Sequence, residues 1–329
     1  MGCDRIAYPS YLWAELTCLK QPLNRSRGGT GSVPQEGRFR FSFNVARGFG
    51  FNGGHPETKG LGSDGQVIEV SLHRHEVSLD YLRLELELGL QFHKNLGLKF
   101  RLPYDIKQQE SSVELLEDVT EEQEAAILRN QDIHHRTEQY SGFSDLMVLA
   151  NYQKVGLFQE GDFLNISFGS TIPAGRTEDD SNRLGEQGLQ HLHLQFGTGT
   201  FDPLLEFSYR TSVSDQFSIG GHVFSRFPFS ENNKGYRVPI ETTGGLVLDY
   251  KVNRTVSVHV NPTVNYQGFA HWAGERDIHS GLIGTSVLLG MAVHSWKETE
   301  IGVDFLYPVS QRTLSDGDAF RRGPAILLT

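Results

Sequence analysis

The chain lacks any apolar run near the ~18 residues a spanning helix needs. With a mean hydropathy of −0.36, that excludes a helical membrane protein. Positive charge is in deficit, the formal net charge being −10. A nucleic-acid partner is therefore set aside, because phosphate binding needs Lys and Arg clustered on one surface. Cysteine is nearly absent: Cys3 and Cys18 both fall in the first twenty residues, so no disulfide framework or Cys-based zinc site holds the body together. The two could pair with each other or be incidental thiols. Residues 8–19 are only patchily apolar and include Glu15, a poor signal-peptide core. Residues 1–36 read as an irregular leader or periplasmic segment.

Glycine at 36 residues and phenylalanine at 21, against Met and Trp at 3 each, suit many strands joined by turns. From Gly37 onward period-two alternation dominates. Leu82, Leu84, Leu86, Leu88, Leu90 and Phe92 share one strand face, and Tyr81, Arg83, Glu85, Glu87 and Gln91 the other; a helix would mix the two sets. Phe39, Phe41 and Phe43 oppose Arg38 and Arg40, and Val258 and Val260 oppose His259 and Asn261.

The connections alternate in length. Short ones fall near 93–95, 154–161, 212–215, 253–254 and 295–298, and long ones near 51–80, 104–142, 173–197, 228–241, 268–279 and 310–322. Five short and six long connections predict about twelve strands with both termini on the short-turn side. Strands with one apolar and one charged face fit a closed up-and-down barrel, lipid outside and water inside, over residues 37–329. A soluble sandwich has no reason to keep that parity. Phe92, Tyr104, Tyr152, Tyr209, Phe227, Tyr250, Tyr266, Trp272, Trp296 and Tyr307 fall at strand ends, where they could form interfacial girdles. Within the 104–142 loop, 111–130 reads as helical, with Thr120 and Gln123 as a capping box. That loop holds ten acids against Lys107, Arg129 and Arg136, so most of the net charge sits there.

Three stretches carry a resemblance: Gly142-Phe143-Ser144-Asp145-Leu146, Ile172-Pro173-Ala174-Gly175, and Gly197-Thr198-Gly199-Thr200-Phe201-Asp202. Together they resemble the outer-membrane barrels of the phenol-degradation meta-pathway transporter type and related uncharacterised barrel families, from about Arg38 to Leu328. The resemblance implies a Gram-negative outer-membrane location and uptake of small, often hydrophobic or aromatic compounds. It supplies no catalytic residues. Members usually end on an aromatic residue; this chain ends Ile326-Leu327-Leu328-Thr329.

The expected lumen-lining charges are Arg38, Arg40, Arg83, Lys99, Arg101, Arg210, Arg226 and Lys251 against Glu85, Glu87, Asp145, Glu206, Asp249, Glu300 and Asp304, with His259 on the same face. Signs so nearly balanced suit cross-strand ion pairs that stiffen the barrel, or else a selective constriction. The 13 histidines include the pairs His73/His75, His134/His135 and His191/His193. At i, i+2 spacing in a strand, His191 and His193 could chelate one metal ion, but all three pairs fall in or beside expected outer loops, where hydrated histidine is ordinary. No cofactor is expected. His279-Ser280 is the nearest nucleophile arrangement, yet strand neighbours point to opposite faces. Glu85 and Glu87 lie among Arg83, Lys99 and Arg101, which favours ion pairs over acid/base work. The sequence reads as a non-enzymatic outer-membrane channel or transporter for small solutes, in contact with outer-membrane lipid. The alternative is a closed barrel acting as a structural or surface-binding protein.

Overall fold

A computed structural model describes residues 37–294, 299–316 and 321–329. The leader with Cys3 and Cys18, and Trp296 within the 295–298 turn, lie outside the described residues. In chain order the elements are β1 (Arg38–Leu61), β2 (Val67–His93), β3 (Leu96–Leu115), α1 (Glu121–His134), β4 (Glu138–Phe143), β5 (Leu146–Val155), β6 (Phe163–Ile172), α2 (Ser181–Glu186), β7 (Pro203–Ser212), β8 (Phe217–Arg226), β9 (Tyr236–Arg237), β10 (Glu241–Lys251), β11 (Val256–Gln267), β12 (His271–Trp272), β13 (Glu275–Arg276), β14 (Leu282–His294), β15 (Glu300–Thr313) and β16 (Ala325–Leu328).

Twelve of the strands close an antiparallel barrel, each paired with its neighbours in sequence, and β16 returns to β1 in the register Val45↔Leu328. Closure leaves no open edge. β4 is an extra strand that prolongs the wall above β5, since both pair with β3. Three two-residue strands, β9, β12 and β13, form a separate small sheet. The strand number expected from the turn parity is the number observed.

Two of the expected loops are largely strand. Residues 51–80 continue β1 and β2 as far as a tight turn at 62–66, and 104–115 continue β3. The helix begins at Glu121, later than expected, on the expected cap: the Thr120 hydroxyl accepts from the Gln123 N–H. It lies against the extended strands, packing Ala126 and Ile127 on Val70, while the Arg129 Nε donates to the Leu61 carbonyl at 2.8 Å.

The cause of that misreading is visible along β2. Odd-numbered side chains point inward along the strand from His73 to Glu87. Below Leu82 the outward residues are leucines and the inward ones charged; above it the outward residues are Arg74, Glu76, Ser78 and Asp80, and the inward ones are His73, His75, Val77, Leu79 and Tyr81. Polarity inverts while strand parity does not, as it must where the surroundings change from lipid to water. On β1 the same level carries a bulge: Gly50 adopts φ +70, the register shifts between Gly48 and Phe51, and Phe51 turns inward onto Tyr81 at a ring separation of 5.5 Å. A left-handed φ at this bulge is the conformation glycine takes without a steric cost. The Gly50 N–H and Arg47 both donate to the Asp80 carboxylate, at 3.0 and 2.8 Å. Below this line the outer surface is apolar, with Phe39 and Phe41 72% and 69% exposed. Trp272, expected in the aromatic girdle, is instead buried inside the outer end.

Candidate functional site

The interior of the spanning barrel is crossed by ion pairs. Lys99 and Arg101 on β3 both bond Glu206 on β7, Lys99 at 2.5 Å, and Arg101 also bonds Glu87 at 2.5 Å. β5 and β6 lie between β3 and β7 in the wall, so this bridge runs as a chord through the interior rather than between neighbouring strands. Arg210 reaches Asp249 at 2.9 Å past β8, and His259 reaches Asp304 at 2.8 Å past β14. The last pair depends on Gly290 of β14, where a Cβ would fall 1.9 Å from the Asp304 carboxylate and 2.1 Å from the His259 ring. Neighbouring strands supply Arg226–Glu241 at 2.9 Å and a two-bond Arg83–Asp105 pair at 2.7 and 2.8 Å. The Glu85 carboxylate accepts from Asn44 at 3.2 Å.

Most of the expected lumen set is therefore inside and buried. Lys251 is half-buried; Arg40 and Glu300 are exposed, Glu300 bonding His294 at 3.0 Å; the Arg38 side chain lies outside the description. Asp105 and Glu241 were missed because both fell in segments read as loop, although Asp105 keeps the parity of Lys99 and Arg101. The interior is also less uniformly polar than expected. Met147, Leu149, Leu204 and Phe224 form one inward apolar cluster, and a second joins Ala46, Leu288, Leu306 and Leu327 to Leu194 and Phe196. The last two come from the 187–202 segment, so part of an expected outer loop folds into the barrel mouth.

What holds that segment is Asp145, at the break between β4 and β5. Its Oδ1 accepts from the Ala174 and Gly175 N–H groups at 3.1 and 3.0 Å, and its Oδ2 from the Thr198 N–H and hydroxyl at 2.7 and 2.8 Å. The three glycine-rich stretches thus meet at one carboxylate. The glycines serve close approach: a Cβ on Gly175 would fall 2.6 Å from the Gly197 Cα, and one on Gly197 2.6 Å from Asp145. Ser144 donates at 2.6 Å to Asp105, linking this knot to the Arg83 pair.

Between the knot and the lumen ion pairs lies a cavity of about 100 Å³. Its walls are mixed: Leu192, Phe196, Val238 and Trp272 give apolar surface, and Arg83, Asp145, Arg226 and Asp277 give charge. Trp272 and Tyr236 pack together at 4.5 Å between ring centres. Above the membrane line, Lys107 lies 4.5 Å over the Phe196 ring and donates to the Gln195 carbonyl at 2.7 Å; burial pushes its ammonium down to about 8. The candidate nucleophile Ser280 is engaged in packing, its hydroxyl donating to the Asp277 carbonyl at 2.5 Å and accepting from the Ala270 N–H at 2.8 Å.

The paired histidines are not in hydrated loops. His55, His73 and His75 on the inner faces of β1 and β2, His134 and His135 at the end of α1, and His191 and His193 in the inserted segment gather in one group, with ring centres 4.1 to 5.7 Å apart. Six are below a tenth exposed, and the seventh, His193, is half-buried. Desolvation is the first cause of their shifts: it holds His134, His135 and His193 well below the usual imidazole range, and His55 and His75 at about 4 and about 3. The rings are neutral at neutral pH, which leaves each with one lone pair.

No family model matches the chain, and no curated protein matches it. Among solved structures, an outer membrane channel from Pseudomonas putida F1 is similar at 13% identity, with a TM-score of 0.53 over 91% of this chain and 97% of that one. A FadL homologue from Pseudomonas aeruginosa aligns at 9% identity and a TM-score of 0.44 over 100% and 98%. The TodX monoaromatic hydrocarbon channel, as its deltaS2 mutant, aligns at 9% and 0.38 over 92% and 91%. The first of these shares its fold with this chain, which is a closed twelve-stranded antiparallel barrel.

Proposed function

We propose that the chain is an outer-membrane channel for small solutes that carry both an apolar ring or chain and a polar group. The observation that carries this reading is the cavity of about 100 Å³, whose walls join apolar side chains to Arg83 and Arg226 of the interior ion pairs. Met147 lines the cavity and also belongs to the inward apolar cluster with Leu149, Leu204 and Phe224, and the fold shared with a solved outer membrane channel supports the same role. Under this reading Arg226 meets the polar end of the solute, and Trp272 and Phe196 the apolar end. Passage then requires the Lys99–Glu206–Arg101 bridge to part.

Flux into liposomes carrying the purified barrel tests it. Entry of small monoaromatic solutes should be saturable and several-fold slower for Trp272→Ala. The second reading, a closed barrel that only binds at the surface, is favoured by the near-complete burial of Arg101 and Glu206, at 2% and 0% exposure. Absence of flux for every solute class, with binding retained, selects that reading instead.

A further inference from the structure

We propose that the histidine group at the outer end of the barrel is a binding site for one divalent transition-metal ion of the zinc class, held by His134, His191 and His193. These three present ligand nitrogens all within 4.8 Å of one another, as do His55, His134 and His135. Tetrahedral zinc with Zn–N bonds of about 2.0–2.1 Å places its nitrogens ~3.3–3.4 Å apart, and the His191 Nε2 to His134 Nδ1 separation is 3.1 Å. Small rotations of the rings, with the His134 proton carried on Nε2 so that Nδ1 offers its lone pair, then suffice.

The second shell points the same way. The His191 Nδ1 lies 2.8 Å from the Leu189 carbonyl. That bond fixes the proton on Nδ1 and leaves Nε2 as the lone pair, the arrangement by which metal-ligating histidines are oriented. His73 has the same relation to the Ser71 carbonyl, at 3.0 Å, with its Nε2 turned to His75. Several ring nitrogens are buried without hydrogen-bond partners among the described residues: both of His55, both of His135, Nδ1 of His75 and Nε2 of His134. Such groups are costly to desolvate, and a cation held by His134, His191 and His193 supplies a partner for one lone pair on each of those three rings. His134 belongs to both three-histidine groups, and a neutral imidazole has one lone pair, so one ion at a time uses it.

The charge around the site suits a cation. Glu110, Glu114, Glu117, Asp118, Glu121, Glu122, Glu124, Asp132 and Glu138 are all exposed on the outer structure, and a negative field of this kind raises the local concentration of divalent ions. Three neutral imidazoles leave a fourth position for water or an anion, with His55 and His135 beside it. The ion would tie three separate pieces of chain together: the end of α1, the inserted segment, and through the neighbouring rings the inner faces of β1 and β2. Nothing in this assignment depends on solute flux, so the two readings fail independently.

The test uses the full chain in detergent, stripped with EDTA and titrated with Co²⁺, then with Zn²⁺. The expected result is one Co²⁺ per chain at micromolar affinity or tighter, with the visible absorption of tetrahedral cobalt that Zn²⁺ abolishes. His134→Ala should weaken binding by ~100-fold or more and His191→Ala by a similar factor. His55→Ala should weaken it far less, and His93→Ala at the opposite end of the barrel should leave it unchanged. If His134→Ala loses heat-modifiable gel mobility and so has not folded, His191→Ala and His193→Asn carry the comparison. Weak binding at several sites only, or tight binding that survives His134→Ala and His191→Ala together in a folded barrel, overturns the proposal.

Discussion

Replacing Glu206 by Gln perturbs the barrel at a carboxylate that bonds two cations in its interior. The substitution keeps the size of the side chain and one acceptor oxygen but removes the charge that faces Lys99 and Arg101. Arg101 retains Glu87 at 2.5 Å. Lys99 has Glu206 as its ion-pair partner among the described residues, and its side chain is 11% exposed, so its ammonium is left buried without a counter-charge. Breaking a buried pair from one side costs about 3–5 kcal/mol, and the retained Arg101–Glu87 pair places this case toward ~3 kcal/mol. Adding Lys99→Met removes the stranded charge, so the double variant should recover most of the loss. The assay is a double-mutant cycle on urea-induced unfolding in lipid vesicles, followed by tryptophan fluorescence and by heat-modifiable mobility. A coupling energy below ~0.5 kcal/mol refutes a direct bond across the lumen. In planar bilayers the single variant, with one interior negative charge fewer, should pass anions relative to cations more readily than the parent.

Four further outcomes follow from the geometry. Asp145→Asn turns an amide NH₂ toward one of the two donor pairs that the carboxylate now accepts. It should cost about 2–4 kcal/mol and release the 173–202 segment to added protease in intact vesicles. Gly290→Ala forces a Cβ into the His259–Asp304 contact and should destabilise the barrel by ~1–3 kcal/mol in the same unfolding assay; equal stability would show that the pair does not need the approach. Leu86→Arg, on the lipid-facing side, should cost ~2–4 kcal/mol and slow assembly into vesicles. For Lys107, with its folded value near 8 against an unfolded value near 10.4, the unfolded chain binds more protons between those limits, so the stability contribution is present above the upper limit and lost as pH falls toward 8. Measured against Lys107→Met, the parent should gain stability from pH 8 to pH 10 by up to ~3 kcal/mol; a pH-independent difference refutes the burial of a charged ammonium.

The spanning strands were legible because lipid imposes one rule on every outward residue: Leu82 to Phe92 and Val256 to Tyr266 alternate without exception. The strand extension above Leu82 was not, because the same rule is reversed there. Val77, Leu79 and Tyr81 followed by Leu82 and Leu84 read as a break in period when the backbone has none. Pairing partners in space were also beyond the pattern. Parity places Lys99, Arg101 and Glu206 on one face, but that β3 reaches β7 across two intervening strands depends on the closed shape. The histidines were misjudged for the same reason: each pair is unremarkable on its own segment, and their convergence follows from α1 and the inserted segment folding back over β1 and β2. Asp145 was read as a lumen charge, whereas its acceptors are filled by the backbone of two glycine-rich stretches.

The inversion of polarity at Leu82 also fixes the height at which the barrel floats. Sliding outward by two residues would bring Leu82 and Ile106 into water; sinking by two would carry Asp80 and Arg47 to the edge of the hydrocarbon, at a cost of ~0–1 kcal/mol for each charge there and more with further depth. Both displacements are opposed on the same strand, so β2 acts as a waterline drawn into the wall. Because β1 bulges at that level and the other strands are hydrogen-bonded to this pair in sequence, the whole cylinder inherits its draught, with the histidine group on the water side of the line.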